Sequence, residues 1–523
     1  MIRLGLDDET VYCPELSVKW QTRGTFTSLG IKFDLNAADI TALNFETKCK
    51  EFYSVLNQWT ARNLTVFGRV TVIKALALSK LVHLFTALPN PPITVLDQLQ
   101  RKCFEFIWCK KRDKIKRTTM FNDLEVGGFK VPHIESFCKS LKLSWVKRLM
   151  KVTEFNEWNV LLCDTTCDFG GHYIWCSNEP KPVFLKELNP FWRDVYDAWI
   201  TLTTTEVGPQ PDIENILQQP LFYNKCIVTE GKSFYYKSWI ELGVRYISDI
   251  VHEDGRFLSW EELYARDLDM DEFPVHFLQY RALLHAIPRN WKQRLKNDMD
   301  GFDDSHPENL RVIFEQPKVS KYFYKQALKK IATLPDKSQR KWEILCNLDD
   351  EFDWNSIDNI PYLCTMDTKS RFFQLKILHR ILPTNILLSK YGLKDTARCT
   401  FCELYNESLD HLFYECTICK TLWLQLKDWL AAHGVCLSID LQSVIMGDPL
   451  APKLQQHITL ITKEFIFRCK LDTSQPQLQS LLSVIKSKYN IERHYRSATA
   501  VQKKWGPLIS FFDEHTLERQ AGS

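Results

Sequence analysis

Residues 399–416 read CTFCELYNESLDHLFYEC. The side chains able to bind a metal are Cys399, Cys402, His411 and Cys416, spaced as C-x2-C-x8-H-x4-C. Zn²⁺ prefers a tetrahedral set of sulfur and nitrogen donors, and a site closed by four protein ligands serves folding rather than hydrolysis. The spacing therefore predicts one structural zinc ion in a compact knuckle.

The separation of the last two ligands predicts the local backbone. His411 and Cys416 are five positions apart, which on a regular α-helix is about 140° beyond a full turn. Two side chains so oriented cannot both face one ion. A helix end or a distorted turn must therefore lie between them, which favours a knuckle over a finger with two ligands on one helix. Cys419 is a substitute ligand with poorer spacing.

A second group of metal-binding residue types has the spacing C-x3-C-x4-H-x3-C. It consists of Cys163, Cys167, His172 and Cys176. It lacks a Cys-x2-Cys pair, and Trp175 beside its last cysteine is typical of a protein core. We interpret these cysteines as buried free thiols. A second metal site is the alternative.

The composition of the 523-residue chain is that of a folded, multi-domain protein rather than a disordered one. Apolar residues make up 45%, and the net charge is only +3, so nucleic-acid binding has to rest on local clusters of charge. The 17 cysteines are an odd number, and the N-terminus has no signal-peptide pattern. We expect a soluble intracellular protein of the nucleus, the cytoplasm or both, without a membrane partner.

Hydrophobic periodicity predicts a mainly α fold. Apolar residues recur at helical spacing from Cys49 to Trp59, from Val66 to Leu84 and from Ile134 to Leu149. Helical patterns also flank the zinc ligands. Residues 1–35 instead carry β-type residues broken by glycines, which predicts short extended segments. Between 152 and 315 the pattern is less regular and indicates helices joined by loops.

Two sets of basic residues are candidates for contacts with nucleic acid. The first is interleaved with Phe104, Phe106 and Trp108 and comprises Arg101, Lys102, Lys110, Lys111, Arg112, Lys114, Lys116 and Arg117. Such a run can neutralise phosphates while its aromatic residues pack inward or stack on bases. A solvated helix end and loop is the alternative. The second set is thinner and comprises Arg371, Lys376, Arg380 and Arg398.

Catalytic carboxylates are not evident. A polymerase or nuclease needs carboxylates that converge on divalent metal ions. The adjacent acidic pairs are Asp7-Asp8, Asp303-Asp304 and Asp349-Asp350. The last two lie in polar, acidic stretches, and the first has no upstream strand to supply a partner. With no phosphate loop, Ser/His/Asp signature or HExxH motif either, we assign no catalytic residue.

Several segments, taken in order, resemble the C-terminal half of a LINE-type non-LTR retrotransposon reverse transcriptase. Residues 26–31 (FTSLGI) resemble its primer-grip strand, and residues 59–74 follow its thumb pattern W..R.L...GRV..IK. The order continues through 106–108 (FIW), 127–132 (GGFKVP), 143–148 (LSWVKR), 220–224 (PLFYN) and 376–385 (KILHRILPTN) into the zinc ligands. The resemblance covers nearly the whole chain and adds Arg69 and Lys74 to the candidate nucleic-acid contacts.

The family's endonuclease, fingers and palm, with its Phe/Tyr-x-Asp-Asp hairpin, have no counterpart in this sequence. The resemblance therefore implies a thumb and C-terminal region that grip RNA template and primer. Polymerase chemistry is not carried over, and we expect this chain alone not to be an enzyme.

The predicted organisation is a palm and primer-grip remnant at 1–35, a thumb-like helical domain at 36–152, a linking helical region at 153–315, a zinc-binding domain at 316–434 and C-terminal helices at 435–523. The expected function is binding of RNA or an RNA/DNA hybrid by a zinc-containing fragment of a reverse transcriptase. The alternatives are an active RNA-directed DNA polymerase whose upstream half lies outside this sequence, a zinc-stabilised adaptor for protein partners, and a decaying element without a selected role.

Overall fold

The computed structural model of the protein is mainly α-helical, as predicted. It describes residues 10–13, 18–21, 26–33, 37–150, 162, 166–179, 183–203, 212–265, 273–298, 313, 315–349 and 351–521. Among the described helices, none is by itself long and apolar enough to cross a membrane. The helical segments Val66–Ala77 and Ser79–Ala87, which form a bent pair, are long and apolar enough only when the two are taken together.

The longer helices span Ala37–Thr60, Ser79–Ala87, Ile93–Ile107, Ile134–Met150, Pro190–Thr203, Phe273–Ala286, Arg289–Asp298, Val319–Ile331, Asp336–Cys346, Trp354–Cys364, Thr368–Leu378, Thr417–Ala432, Lys453–Leu471, Leu478–Tyr495 and Ala498–Ala521. Shorter ones span Val66–Val72, Arg117–Met120, Ile213–Leu217, Lys237–Glu241, Trp260–Tyr264, Asn385–Lys390 and Leu441–Ile445. Several begin at a side chain that accepts a hydrogen bond from a first-turn N–H, namely Thr65, Ser259, Asp353, Asp367 and Asp440.

Short antiparallel hairpins make up the β structure of the described residues. Thr10–Cys13 pairs with Val18–Gln21, and Phe26–Ser28 pairs with Ile31–Phe33. The second hairpin turns at Leu29 and Gly30, both with positive φ (49° and 77°), as a two-residue turn between right-twisted strands requires. The extended segments expected in 1–35 are thus confirmed where the structure describes them. A third hairpin, Val228–Thr229 with Lys232–Ser233, was not predicted.

The chain divides into two compact units. The first draws on residues 1–55, 77–101 and 133–330. Its core is rich in aromatic side chains, and fully buried Trp175, Trp199 and Trp239 lie within it. The helices Ile134–Met150 and Pro190–Thr203 pack against each other in this unit. The bounds of the five predicted domains stay a prediction.

The second unit draws on residues 56–76, 102–132 and 331–523 and contains the predicted zinc ligands. Its central helix, Lys453–Leu471, is buried along most of its length and packs against Trp354–Cys364, Thr368–Leu378, Leu478–Tyr495 and Ala498–Ala521. Apolar side chains around it include the fully buried Ile458, Ile461 and Ile466. The zinc ligands Cys399 and Cys416 belong to the same continuous core.

Candidate metal centre

A short hairpin holds the first two predicted ligands, Cys399 and Cys402. The N–H of Cys399 donates to the carbonyl of Tyr405 at 2.8 Å, and the N–H of Glu407 donates to that of Ala397 at 2.8 Å. Glu403 adopts a left-handed φ of 55°, and its N–H donates to the carbonyl of Cys399 at 3.1 Å. This tight turn allows the two cysteine side chains to point toward one place.

A widened helical turn joins the other two ligands. Residues His411–Glu415 form a single π turn, and the N–H of Cys416 donates to the carbonyl of His411 at 2.8 Å. Because a π turn closes hydrogen bonds from i to i+5, residues five positions apart return to the same side. Cys416 then leaves the helical conformation and becomes the N-cap of the helix Thr417–Ala432. The distorted turn expected from the spacing is confirmed.

The ligand atoms of all four residues converge within 4.8 Å of one another. The sulfurs of Cys399 and Cys416 are 3.8 Å apart, and the sulfur of Cys402 is 3.3 Å from Nε2 of His411. Two Zn–S bonds of about 2.3 Å at a tetrahedral angle place their sulfurs about 3.8 Å apart. The backbone therefore holds the donors at the spacing that zinc requires.

A family model matches the chain around this cluster. Residues 336–423 match the family described as zinc-binding in reverse transcriptase. The matched segment contains all four ligands, so geometry and family agree on one structural zinc ion held by Cys399, Cys402, His411 and Cys416. This part of the chain is a reverse-transcriptase-related zinc-binding region.

The two buried cysteines among the zinc ligands, Cys399 and Cys416, hold their protons tightly when no cation balances them. The neighbouring Cys416 thiol and burial raise the pKa of Cys399 far above its usual value. The hydrogen bond from Cys399 lowers the pKa of Cys416, but the Cys419 thiol and burial outweigh it and raise that pKa to about 12. A divalent cation favours the thiolates directly. The Phe401 N–H also donates to the Cys399 sulfur at 3.4 Å, which further stabilises the charged form.

A buried carboxylate between the ligands, Glu407, ties the hairpin to the rest of its unit. One oxygen accepts hydrogen bonds from the N–H and the hydroxyl of Thr400 at 3.0 and 2.8 Å, and the other accepts from the N–H of Asn385 at 2.9 Å. The Nζ atom of Lys470, on the helix Lys453–Leu471, lies 3.1 Å from this second oxygen and balances the negative charge of Glu407. The Glu407 and Lys470 side chains are 0 and 4% exposed, so the pair lies where the dielectric constant is low.

Glu407 and Lys470 are not among the site residues that the sequence patterns predict. An acidic residue in a loop and a basic residue near a helix end are usually solvated. The one available signal is position, because Glu407 lies within the short loop that separates the two halves of the zinc site.

The second cysteine and histidine group lies only partly in the described chain. Cys163 lies outside the described residues. Cys167 is exposed, whereas Cys176 is buried and its sulfur accepts a hydrogen bond from the Tyr246 hydroxyl at 2.9 Å. Within the described ranges, the zinc ligands above are the one group of three or more such residues with metal-binding geometry. That these cysteines are free thiols stays a prediction, with a second metal site as its alternative.

The first basic set lies on the surface, and the interleaved aromatic residues face inward. Phe104, Phe106 and Trp108 are only 0, 4 and 6% exposed. All eight basic side chains of the set are exposed. Lys102 pairs with Glu105, and Arg117 pairs with Asp113. As far as the structure describes the chain, no carboxylate lies within 4 Å of Lys110, Lys111, Arg112, Lys114 or Lys116.

Two candidates from the thumb pattern have different surroundings. Arg69 is 5% exposed, donates to the carbonyl of Phe106 at 2.9 Å and stacks on the Phe106 ring at 4.9 Å. Its guanidinium is therefore occupied in holding the fold. Lys74 is exposed on the π turn Ile73–Ala77.

The second basic set is largely engaged with the protein. Arg371 donates to the carbonyl of Thr365 at 2.8 Å, Arg380 lies 4.1 Å from the centre of the Trp342 ring, and Arg398 donates to the carbonyl of Leu404 at 2.8 Å. Lys376 lies 4.4 Å from the centre of the Phe372 ring. Burial lowers the pKa of Lys376, and the positive charge of Lys114 lowers it further. The two basic sets therefore approach each other at Lys114 and Lys376.

Of the acidic pairs considered for catalysis, Asp7-Asp8, Asp303-Asp304 and Asp350 lie outside the described residues. The expected absence of a catalytic carboxylate set stays a prediction.

Proposed function

We propose that the chain binds RNA or an RNA/DNA hybrid through the phosphate backbone, using the surface formed by Lys110, Lys111, Arg112, Lys114 and Lys116. The observation that carries this proposal is a run of exposed cations without carboxylate partners in the described chain, in a protein whose total charge is only +3. Such a concentration of unpaired charge repels itself unless an anion is present.

The inward packing of Phe104, Phe106 and Trp108 restricts the mode of binding. Buried rings cannot stack on bases, so this surface offers charge and not base recognition. Lys376 extends the surface toward the zinc-binding region through its proximity to Lys114. We leave Arg69 out of the surface, because its donors are used inside the protein.

The match to a reverse-transcriptase region supports nucleic acid as the class of ligand. Within that class, we propose a LINE-type origin for the chain on the order of motifs from residue 26 to residue 416. A thumb and linking region before the zinc site, and a location in the nucleus or the cytoplasm, are parts of the same proposal.

Binding of a fluorescent single-stranded RNA, measured by anisotropy across a range of salt concentrations, tests the proposal. If about four to six phosphates are engaged, log K falls against log salt with a slope of roughly −3 to −4. Replacing Lys110, Lys111 and Arg112 with Ala should flatten the slope by up to about 2 units, since each lost contact accounts for roughly 0.7. All RNA sequences should weaken similarly, because phosphate contacts carry no sequence information.

A matched control removes the same charge elsewhere. Lys325, Lys329 and Lys330 are exposed on the helix Val319–Ile331, and their replacement with Ala should leave the slope nearly unchanged. Equal flattening by both triple variants would show that total charge alone drives binding. A slope near zero in the unmutated protein would favour the zinc-stabilised adaptor.

We further propose that this chain alone does not extend a primer on an RNA template. The support is the lack of a recognisable palm carboxylate set in its sequence, since polymerase chemistry needs a two-metal site. Incubation with primed RNA, deoxynucleotides and Mg²⁺ should give no extension. Extension that disappears in Asp8→Ala would instead identify the chain as part of an active RNA-directed DNA polymerase.

A further inference from the structure

A fifth cysteine, Cys419, lies against the zinc ligands without being one of them. It is fully buried on the first turn of the helix Thr417–Ala432, three residues after Cys416. Cys416 is the N-cap of that helix and Cys419 is its third residue, and an N-cap side chain lies beside the backbone N–H of the third helical residue. The fold therefore keeps a buried thiol outside the four-donor set at the same helix end as a zinc ligand.

Cys419 and the three cysteines among the zinc ligands form two C-x2-C pairs. Cys399 and Cys402 lie in the hairpin, with their sulfurs within 4.8 Å of each other. Cys416 and Cys419 lie at the start of the helix. A disulfide needs Cβ atoms about 4 Å apart, and Cys416, as the N-cap, precedes the first helical residue and is not held by the helix. A small adjustment of the first turn suffices to join the second pair.

Access to the cluster is uneven. Cys402 is half-buried, whereas Cys399, Cys416 and Cys419 are only 1, 0 and 0% exposed. A thiolate is the nucleophilic form of cysteine, and zinc keeps its ligands in that form. A small oxidant in solution therefore meets the cluster first at the Cys402 sulfur.

We propose that the zinc centre is a reversible modification site for hydroperoxides, in which Cys419 is the resolving thiol for Cys416. This goes beyond the structural role of the zinc ion and does not depend on nucleic-acid binding. Without Cys419, oxidation of the cluster leaves one of its three cysteines without a disulfide partner. With Cys419, all four cysteines end in disulfides that thiols can reduce.

The reaction uses two molecules of hydroperoxide. The Cys402 thiolate attacks the first, the O–O bond breaks, and the sulfur becomes a sulfenic acid. The Cys399 sulfur attacks that sulfenic acid, so the S–S bond forms, the S–O bond breaks and the oxygen leaves as water. With the Cys399 and Cys402 sulfurs joined to each other, His411 and Cys416 would be too few ligands to hold zinc. Cys416 then reacts with the second hydroperoxide, and Cys419 resolves its sulfenic acid with loss of water.

The experiment titrates the zinc-loaded full chain with hydrogen peroxide while a chromogenic chelator reports free zinc. We expect release of one zinc per chain, and peptide mapping by mass spectrometry should find Cys399 joined to Cys402 and Cys416 joined to Cys419. Reduction with a dithiol should restore zinc binding. In Cys419→Ser, zinc should still bind, but Cys416 should proceed to sulfinic acid, which thiols do not reduce. The zinc capacity recovered after reduction should then stay below that of the unmutated chain, because sulfinic acid at Cys416 removes one ligand irreversibly.

Cys436→Ser is the matched control, because Cys436 is exposed and lies outside the cluster. It should behave as the unmutated chain. Full recovery of zinc in oxidised Cys419→Ser would overturn the proposal, as would zinc loss from the unmutated chain with Cys419 still reduced. If Cys419→Ser fails to bind zinc, the disulfide map of the unmutated chain decides by itself.

Discussion

Replacing Glu407 with Gln should strongly destabilise the zinc-binding region without touching a zinc ligand. The substitution keeps the size of the side chain but removes its charge. Lys470 then stays buried without a carboxylate, since its nearest remaining acceptor is the carbonyl of Pro383 at 2.7 Å. The new amide group also has to face either the donors of Thr400 or those of Asn385 and Lys470, because both carboxylate oxygens accept hydrogen bonds.

The magnitude follows from these contacts. Removing one partner of a buried ion pair costs about 3–5 kcal/mol. Loss of two hydrogen bonds to a charged group, at about 1.5–3 kcal/mol each, leads to a similar figure. We therefore expect the free energy of unfolding of the zinc-binding region to fall by about 3–5 kcal/mol, measured as urea-induced zinc release followed with a chromogenic chelator.

Two further variants make this expectation specific. Glu403→Gln is the same chemical change at an exposed glutamate of the same hairpin, and its effect should stay within about 0.5 kcal/mol. Adding Lys470→Met to Glu407→Gln removes the orphaned charge and should recover part of the loss. Equal stability of Glu407→Gln and Glu403→Gln would contradict the role of the buried ion pair, as would a double variant no more stable than Glu407→Gln.

Three other predictions concern the same unit. Cys402→Ser should lower the zinc content from one ion per chain toward none and loosen the surrounding core, as metal analysis and hydrogen exchange of the Leu412 amide would show. Asp358→Asn should flatten the pH dependence of stability. Burial raises the pKa of Asp358 to about 8, whereas the unfolded value is about 3.9. The carboxyl therefore loses its proton at lower pH in the unfolded chain than in the folded one. As the pH rises from about 4 to 8, the free energy of unfolding falls by up to about 1.4 kcal/mol per pH unit. The variant should lack this fall, and a urea midpoint equal to that of the unmutated chain at both pH 5 and pH 8 would contradict the expectation. Arg69→Ala should destabilise the protein through the lost hydrogen bond to Phe106, and the salt dependence of RNA binding should not change; a flatter salt slope would place Arg69 on the binding surface.

Local spacing was enough to find the zinc site. The four ligands lie close together in sequence. Metal binding is the most specific role that three cysteines and a histidine can have in so short a segment. The five-residue step from His411 to Cys416 also predicted a helix end or a distorted turn, because on a regular α-helix the two side chains cannot both face one ion. The short extended segments on either side of Gly30 were also predicted from local sequence, since glycine readily adopts the positive φ of a turn.

Tertiary structure decided the parts that depend on distant neighbours. The sequence motif predicts that Arg69 contacts nucleic acid, yet the fold buries its guanidinium against Phe106. Glu407 reads as a loop residue on the surface, yet the helix Lys453–Leu471 brings Lys470 to it in the interior. Likewise, only packing shows that the aromatic residues of the first basic set face inward. The order of residues along the chain sets backbone turns and the spacing of ligands, and the sequence therefore determined the zinc site. Burial and the pairing of charges depend on which distant segments cover a side chain. The tertiary structure therefore decided which charged groups remain on the surface.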